Sequence, residues 1–230
     1  MKIEIKNLSK NFKKVNILNN INLTLESGTI YGLIGRNGTG KSVFLKTLCG
    51  FYYPSSGEIL FDGKNYSANN LYPDNLRALI EKPSFMPNLT GYENLELLAS
   101  IQNKIGKSEI EETLKKVNLF EEKDKKYSKY SLGMKQKLGI AQVLMENPEI
   151  IILDEPFNAI EEETVNKIKN ILLEEKSKGK LIILSSHIKD DINSASKTCR
   201  EPSGTALAIE GKVRYYIPTQ TKTNRKEINP

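Results

Sequence analysis

Residues 35–42 read GRNGTGKS, between the apolar run IYGLI at 30–34 and a segment with apolar residues at Val43, Phe44, Leu45 and Leu48. The spacing fits G-x-x-x-x-G-K-[ST] at Gly35, Gly40, Lys41 and Ser42, with strand character before it and helix character after it. Gly35, Gly38 and Gly40 let the backbone turn its N–H groups toward phosphate oxygens, and the following helix adds a partial positive charge at its N-terminus. Arg36, Asn37, Thr39 and Val43 complete the loop that would enclose the phosphates. In such a loop Lys41 reaches the β and γ phosphates and the Ser42 hydroxyl ligates Mg2+. The chemistry implied is the binding of a nucleoside triphosphate with magnesium.

Residues 149–155 (EIIILDE) end a strongly apolar run in two acids. Carboxylates at the end of a buried strand are costly unless a cation or hydrogen bonds compensate them. The C-terminal ends of parallel strands are also where ligands sit. Asp154 therefore reads as holding Mg2+ through water, and Glu155 as orienting and polarising an attacking water. His187, the only histidine, follows LIILSS at 181–186 and so ends at the same sheet edge. Its ring N–H there can donate to a γ-phosphate oxygen. A second helix start lies at 130–138 (YSLGMKQKL). Ser131 can cap or donate, Gly133 admits a phosphate, and Lys135 and Lys137 add charge. Taken alone, that stretch is an ordinary capped helix.

These residues need a scaffold. Residues 1–6 and 21–26 alternate polar and apolar, as antiparallel strands do. Residues 29–34 read as a buried strand, 41–50 as a helix ended by Gly50, 57–63 as a short strand between turns, and 76–81 as a further apolar run. From 89 to 147 the pattern is helical, opening on a capping box at Thr90 and Glu93 and continuing with helices over 107–118 and 134–145. The apolar strands at 149–153 and 180–184 suit a sheet covered on both faces, with a helix over 160–178 between them. The fold class expected is α/β: a P-loop NTPase core with an antiparallel β subdomain and an inserted α-helical subdomain. A single domain is expected, with the core at 1–86 and 148–218, the helices at 87–147 and a frayed tail at 219–230.

Composition narrows the partners. A chain of 230 residues, 38% hydrophobic and 27% charged, is enough for one domain with a real core. The net charge of +6 comes from lysines spread along the chain, so a nucleic-acid partner is not expected. Such a surface tolerates an anionic membrane nearby. Cys49 and Cys199 stand outside any CxxC, which fits a reducing cytosol, and Cys49 reads as a small buried hydrophobe. Residues 1–6 lack a signal h-region, and no apolar run approaches the about 18 residues of a membrane helix. A cytoplasmic chain is expected, held at a membrane only through another polypeptide.

Together these motifs resemble the ATP-binding subunits of ABC transporters, over nearly the whole chain. Gly35 to Ser42 match the Walker A loop, and Ile150 to Asp154 match Walker B with Glu155 as the catalytic glutamate. His187 matches the switch histidine. Ser131 and Gly133 match the signature motif, with Leu132 in place of its first glycine and Met134 in place of its glutamine. The resemblance implies ATP and Mg2+ as ligand and cofactor, with Phe12 near the aromatic that stacks on adenine. It implies a head-to-tail pair of nucleotide-binding subunits, identical or not, in which Ser131 and Gly133 of one face the γ-phosphate bound by the other. ATP would close the pair, and hydrolysis would reopen it to drive a separate integral-membrane permease, with this chain peripheral on the inner membrane face.

Three stretches depart from that pattern. Glu81 stands where the family usually has glutamine; a carboxylate there can still ligate Mg2+. Ile160 and Glu161 replace the usual Leu-Asp, which bears on the contact this loop makes across the pair. Residues 197–206 (KTCREPSGTA) do not follow the usual continuation after the histidine. The run from Glu81 to Leu95, with YSLGMKQKLGIA, is similar to a subgroup exporting peptide antibiotics of the bacitracin and lantibiotic type, for immunity or resistance. The alternative is a soluble ABC-type ATPase acting on nucleic acid or ribosomes, but those usually carry two cassettes or long inserted arms. A GTPase would show an Asn-Lys-x-Asp guanine reader, which is not found, and a nucleotide kinase has no need of Ser131 and Gly133.

Overall fold

The structure is a computed structural model that describes residues 1–35, 37–65 and 73–186, and the backbone alone of 208–210 and 213–216. It opens with an antiparallel hairpin, β1 (Lys2–Phe12) and β2 (Val15–Glu26), followed by β3 (Thr29–Ile34) and helix α1 (Lys41–Leu48). Next come β4 (Ser56–Phe61), β5 (Lys64–Asn65) and β6 (Leu76–Leu79). Three helices follow: α2 (Gly91–Gln102), α3 (Lys107–Lys116) and α4 (Leu132–Leu144). The chain then returns to β7 (Ile150–Asp154), α5 (Glu162–Ser177) and β8 (Leu181–Ser186), and the short strands β9 (Ala208–Glu210) and β10 (Val213–Tyr216).

Two sheets result. One is antiparallel, in the order β2-β1-β4-β5; the other has the order β6-β7-β8-β3-β10-β9 and is parallel except where β9 meets β10. The apolar runs at β7 and β8 behave as a strand covered on both sides should, since every residue of both is buried. Their side chains alternate between two cores. Ile150, Ile152, Leu181 and Ile183 join Phe44, Leu45 and the hairpin. Ile151, Leu153, Ile182 and Leu184 join the helical side, including Leu138, Ile168 and Leu172.

The hairpin extends well past the stretches where alternation marks it. Register shifts fall between Ile5 and Leu8, Leu8 and Lys10, and Lys10 and Asn11. Each shift resets the period-2 pattern, so the strand continues while its sequence signature is lost. The helical region also differs in detail. Asn118 takes a left-handed φ of 57° just after α3, and the chain to α4 runs through two single 3-10 turns at Phe120–Glu122 and Tyr127–Lys129.

Local signals set the helix ends. Thr90 Oγ1 accepts from the Glu93 N–H at 3.1 Å while the Glu93 carboxylate accepts from the Thr90 N–H at 2.7 Å. Those bonds hold the Glu93 carboxyl below the usual carboxylate range. After α1, Gly50 adopts φ 69° and donates to the Thr47 carbonyl at 3.1 Å, closing the helix as its position suggests. Cys49 is buried beside it, and desolvation pushes its thiol up to about 12. No helix among the described residues is long and apolar enough to cross a membrane.

Helix α4 lies so close to the end of β6 that a Cβ on Gly139 would sit 2.9 Å from Pro83 Cβ and 3.0 Å from Leu79 Cδ1. Gly139→Val should therefore push α4 off the sheet edge and cost about 1–3 kcal/mol of stability. Urea unfolding would read that loss, and an unchanged midpoint would show that the edge yields without strain.

Candidate functional site

Four parallel strands, β6, β7, β8 and β3, end side by side. Ile34 pairs with Ser186, Asp154 with Ser185, and Leu79 with Leu153. The chain therefore leaves β3 into the glycine-rich loop, β7 into Glu155, and β6 into Ile80 and Glu81, all at one edge of the sheet. Residues 112 positions apart in sequence become hydrogen-bond partners there.

The loop has the backbone its glycines permit. Gly38 and Gly40 take φ +81° and +96°, in the left-handed region where a side chain is strained. A Cβ on Gly35 would lie 2.7 Å from Thr39 Oγ1. Lys41 is buried; its ammonium donates to the Gly35 carbonyl at 2.6 Å and lies 3.5 Å from Glu155 Oε1. The lysine thus folds back along the loop with one acid beside it.

Asp154 is also buried. The Ser42 hydroxyl donates to its Oδ2 at 2.6 Å, and the Ser185 hydroxyl donates to its Oδ1. Two hydrogen bonds to a charged acceptor, about 1.5–3 kcal/mol each, offset the cost of burying the carboxylate. The Ser185 hydroxyl also accepts from the Glu155 N–H at 3.0 Å, and Gln136 Nε2 donates to the Glu155 carbonyl at 3.3 Å. Glu155 itself holds a left-handed φ of 49°. Its backbone is fixed on both sides, so its carboxylate is aimed rather than adrift.

Ser185 and Gln136 escaped the sequence reading. Each had a signal: Ser185 is a polar residue that continues the apolar run of a buried strand, and Gln136 shares the buried face of α4 with Gly139, Ile140 and Val143. A polar side chain on an apolar face needs a partner. Here the partner is the acid-bearing end of β7.

The residues present fit a triphosphate and a magnesium ion. A cavity of about 300 Å³ is lined by Ile17, residues 37–43, Asp154 and Glu155. A second, of about 520 Å³, adjoins it and is bordered by Asn37, Ser42, Glu81, Gln136, Asp154 and Glu155, among others. Thr39 Oγ1 is buried at the loop with no hydrogen-bond partner among the described residues, a polar atom suited to a ligand oxygen. Ser42 and Asp154 offer hard oxygen donors of the kind Mg2+ takes, with water and phosphate completing the octahedron. No group of three or more His, Cys, Asp or Glu that could hold a metal occurs among the described residues, so a metal here would draw on oxygens from its ligand.

Other expected site residues are placed differently. Glu81 borders the larger cavity with its side chain 60% exposed, but its carboxylate is paired with Lys46 rather than with the Ser42–Asp154 side. Phe12, 39% exposed, packs edge-on against Tyr52 with ring centroids 5.1 Å apart, and Ile17 rather than Phe12 lines the loop cavity. Ser131 caps α4 by accepting from the Met134 N–H at 3.2 Å, and is exposed. Gly133 is needed within the chain itself, since a Cβ there would lie 2.4 Å from the Ala159 carbonyl oxygen. Neither cavity is lined by Ser131 or Gly133. Lys135 sits over the Tyr127 ring at 5.1 Å, and Lys137 pairs with Glu161 at 3.1 Å. That ion pair and the Glu161 backbone N–H hold the Glu161 carboxyl low, the backbone bond contributing more. Arg36, His187, the segment 197–206 and the tail lie outside the described residues.

Comparison with known proteins agrees with this geometry. The family model described as ABC transporter matches residues 18–158. An uncharacterized ABC transporter ATP-binding protein of Bacillus subtilis (strain 168), YybJ, is 40% identical over 93% of this chain and 98% of its own length. The bacitracin transport ATP-binding protein BcrA of Enterococcus faecalis is 42% identical over 83% of this chain, which spans 62% of that relative. The lantibiotic transport ATP-binding protein SrtF of Streptococcus pyogenes is 37% identical over 83% of this chain and 82% of its own. Among solved structures, an ATP-binding subunit of an ABC transporter superposes with TM-score 0.76 at 28% identity, over 85% of this chain and 83% of that one. An ATP-binding cassette solved as a dimer in a post-hydrolysis state with ADP and Pi superposes with TM-score 0.75 at 25% identity, over 82% of this chain and 89% of that one.

The hydroxyl of Ser185 serves both acids at once, so its removal should be felt in two ways. Ser185→Ala is expected to cost about 1–3 kcal/mol of stability, because a buried acceptor and donor lose their partner. It should also lower nucleotide turnover about 10- to 100-fold, as loss of an outer partner of a metal ligand does. Calorimetric unfolding and phosphate release measure the two; full activity would mean that Ser42 alone positions Asp154.

Proposed function

The chain belongs to the ABC transporter family as an ATP-binding subunit with ATPase activity, and from that premise we propose that it closes with a second nucleotide-binding subunit around ATP to drive a separate membrane permease. One observation carries the pairing. Ser131 is exposed at the start of α4 and, unlike Leu132 and Gln136 of the same helix, lines neither cavity of its own chain. A phosphate presented by a facing subunit would meet Ser131 and the first turn of α4, where N–H groups and the helix dipole favour an anion.

Within each site the roles follow from the contacts. Ser42 and Asp154 would hold Mg2+, which when bound neutralises phosphate charge and polarises the phosphoryl group. Lys41, released from the Gly35 carbonyl, would donate to the β and γ phosphate oxygens. Glu155 would orient a water for attack on the γ-phosphorus and accept its proton, with Ser185 and Gln136 holding the backbone that aims it. His187 and Arg36 are assigned to the γ-phosphate and the loop by sequence alone, as Phe12 is to adenine. Glu81 is assigned to the metal on the same basis, and would reach it only on leaving Lys46.

A permease partner is supported by the surface as well as by the relatives. Phe51 is 69% exposed and Ile101 75% exposed, with Tyr53 and Leu97 also exposed. Phe51 flanks a groove formed with Leu79, Ile80, Pro83 and Gln142 beside the end of β6. An exposed apolar side chain at the rim of a groove offers surface that a protein partner could bury. Such a partner would place the chain on the inner face of a membrane. Relatives named for bacitracin and lantibiotic transport support an antimicrobial peptide as cargo, exported for immunity or resistance.

Glu155→Gln should keep ATP binding and lose turnover by about 10²–10⁴-fold, the range for a lost general base. With Mg2+ and ATP its solution mass should double, and without ATP it should remain monomeric. Adding Ser131→Arg should abolish the doubling and leave ATP binding to the monomer intact. Loss of ATP binding in that variant would place Ser131 in the chain's own site and overturn the pairing.

A further inference from the structure

The ion pair between Lys46 and Glu81 joins two faces of the molecule. Lys46 lies in the last turn of α1, the helix that starts at the phosphate loop. Its ammonium donates to Glu81 Oε1 and lies 5.7 Å from the centre of the Tyr52 ring. Lys46 lines the groove shared with Phe51, Lys82 and Gln142 and does not line the cavity of Ser42 and Asp154. Glu81 borders that cavity. The bond therefore ties the one additional carboxylate at the rim of the cavity to a lysine of the groove.

Three features show that this placement is built. Glu81 holds a left-handed φ of 64°, a backbone conformation that carries an energetic cost for a residue with a side chain. Tyr52 offers a ring face to the ammonium and is itself braced by the edge of Phe12. The hydrogen bond to Glu81 raises Lys46 above its ordinary value, so the ammonium stays charged throughout the neutral range. With Asp154 and Glu155 already at the cavity, a third carboxylate turned inward would strengthen its hold on a cation.

We propose that Lys46 is a positioning residue that holds the Glu81 carboxylate away from the magnesium side of the cavity and so weakens the site's affinity for Mg2+. This rests on the nucleotide and magnesium reading of the same site. Glutamine at position 81 would have no charge for Lys46 to restrain, so the two residues act as a pair. Lys46 touches no substrate in this role and acts only through Glu81.

The test is the Mg2+ concentration that half-saturates binding of a fluorescent ATP analogue, measured in the Glu155→Gln chain so that no nucleotide is consumed. Lys46→Met should lower that concentration about two- to fivefold, the size of effect an exposed ion pair carries. Lys46→Arg keeps the pair and should leave it unchanged. In a Glu81→Gln background, Lys46→Met should change it by less than a factor of about two, which removes the general effect of deleting a positive charge. An equal shift in both backgrounds, or none in either, overturns the proposal. Failure of the parent chain to bind the analogue in a Mg2+-dependent way would instead overturn the reading of the site, and the proposal with it.

Discussion

A carboxylate buried at the end of an apolar strand is the constraint around which this molecule is arranged. Asp154 closes β7, whose residues are all buried. An ionised group there needs compensation, and it comes from Ser42 at the start of α1 and Ser185 at the end of β8. The three groups come from three elements, so satisfying one charge locks α1, β7 and β8 in register. The pairing of Asp154 with Ser185 across the sheet is the same fact seen from the backbone.

From that point the site extends in two directions. Toward the loop, Lys41 lies folded between the Gly35 carbonyl and Glu155. Toward the helices, residues 155–161 are attached to the first turns of α4 by three separate contacts. Gln136 holds the Glu155 carbonyl, Gly133 admits the Ala159 carbonyl, and Lys137 pairs with Glu161. The segment carrying Glu155 and the helix capped by Ser131 are therefore joined. In the proposed pairing, that would link the acid of one site to the turn proposed to meet the phosphate of the other. Glu161, though it replaces the family's usual aspartate, retains a partner because Lys137 lies within reach of its longer side chain.

The elements that carry their own period were legible before folding. Strands β7 and β8, the capping box at Thr90 and Glu93, and the cap at Gly50 all appear where local pattern places them. The hairpin between residues 7 and 20 did not, because three register shifts break its alternation. The chain between α3 and α4 also did not, because helix-like spacing survives across single 3-10 turns tied down by Tyr127 and Tyr130, whose hydroxyls donate to Pro83 and Glu122 carbonyls. The spacing offers Gly133 as a place for phosphate to approach, and the close neighbour there is the Ala159 carbonyl of the same chain.

By itself the sequence determined the kinds of chemistry available: a glycine loop that takes phosphate, a lysine and hydroxyl at its end, paired acids after an apolar strand, and a capped helix start. These are local properties, set by residue type, spacing and backbone freedom, and they survive being read one window at a time. Only the tertiary structure decided which groups compensate one another. Ser185 as the support of both acids, Gln136 on the Glu155 carbonyl and Lys46 as the holder of Glu81 join residues far apart in the chain. Such partners are chosen by strand order and helix packing, because a buried charge takes whatever donor the fold brings within hydrogen-bond distance, and no local pattern records that choice.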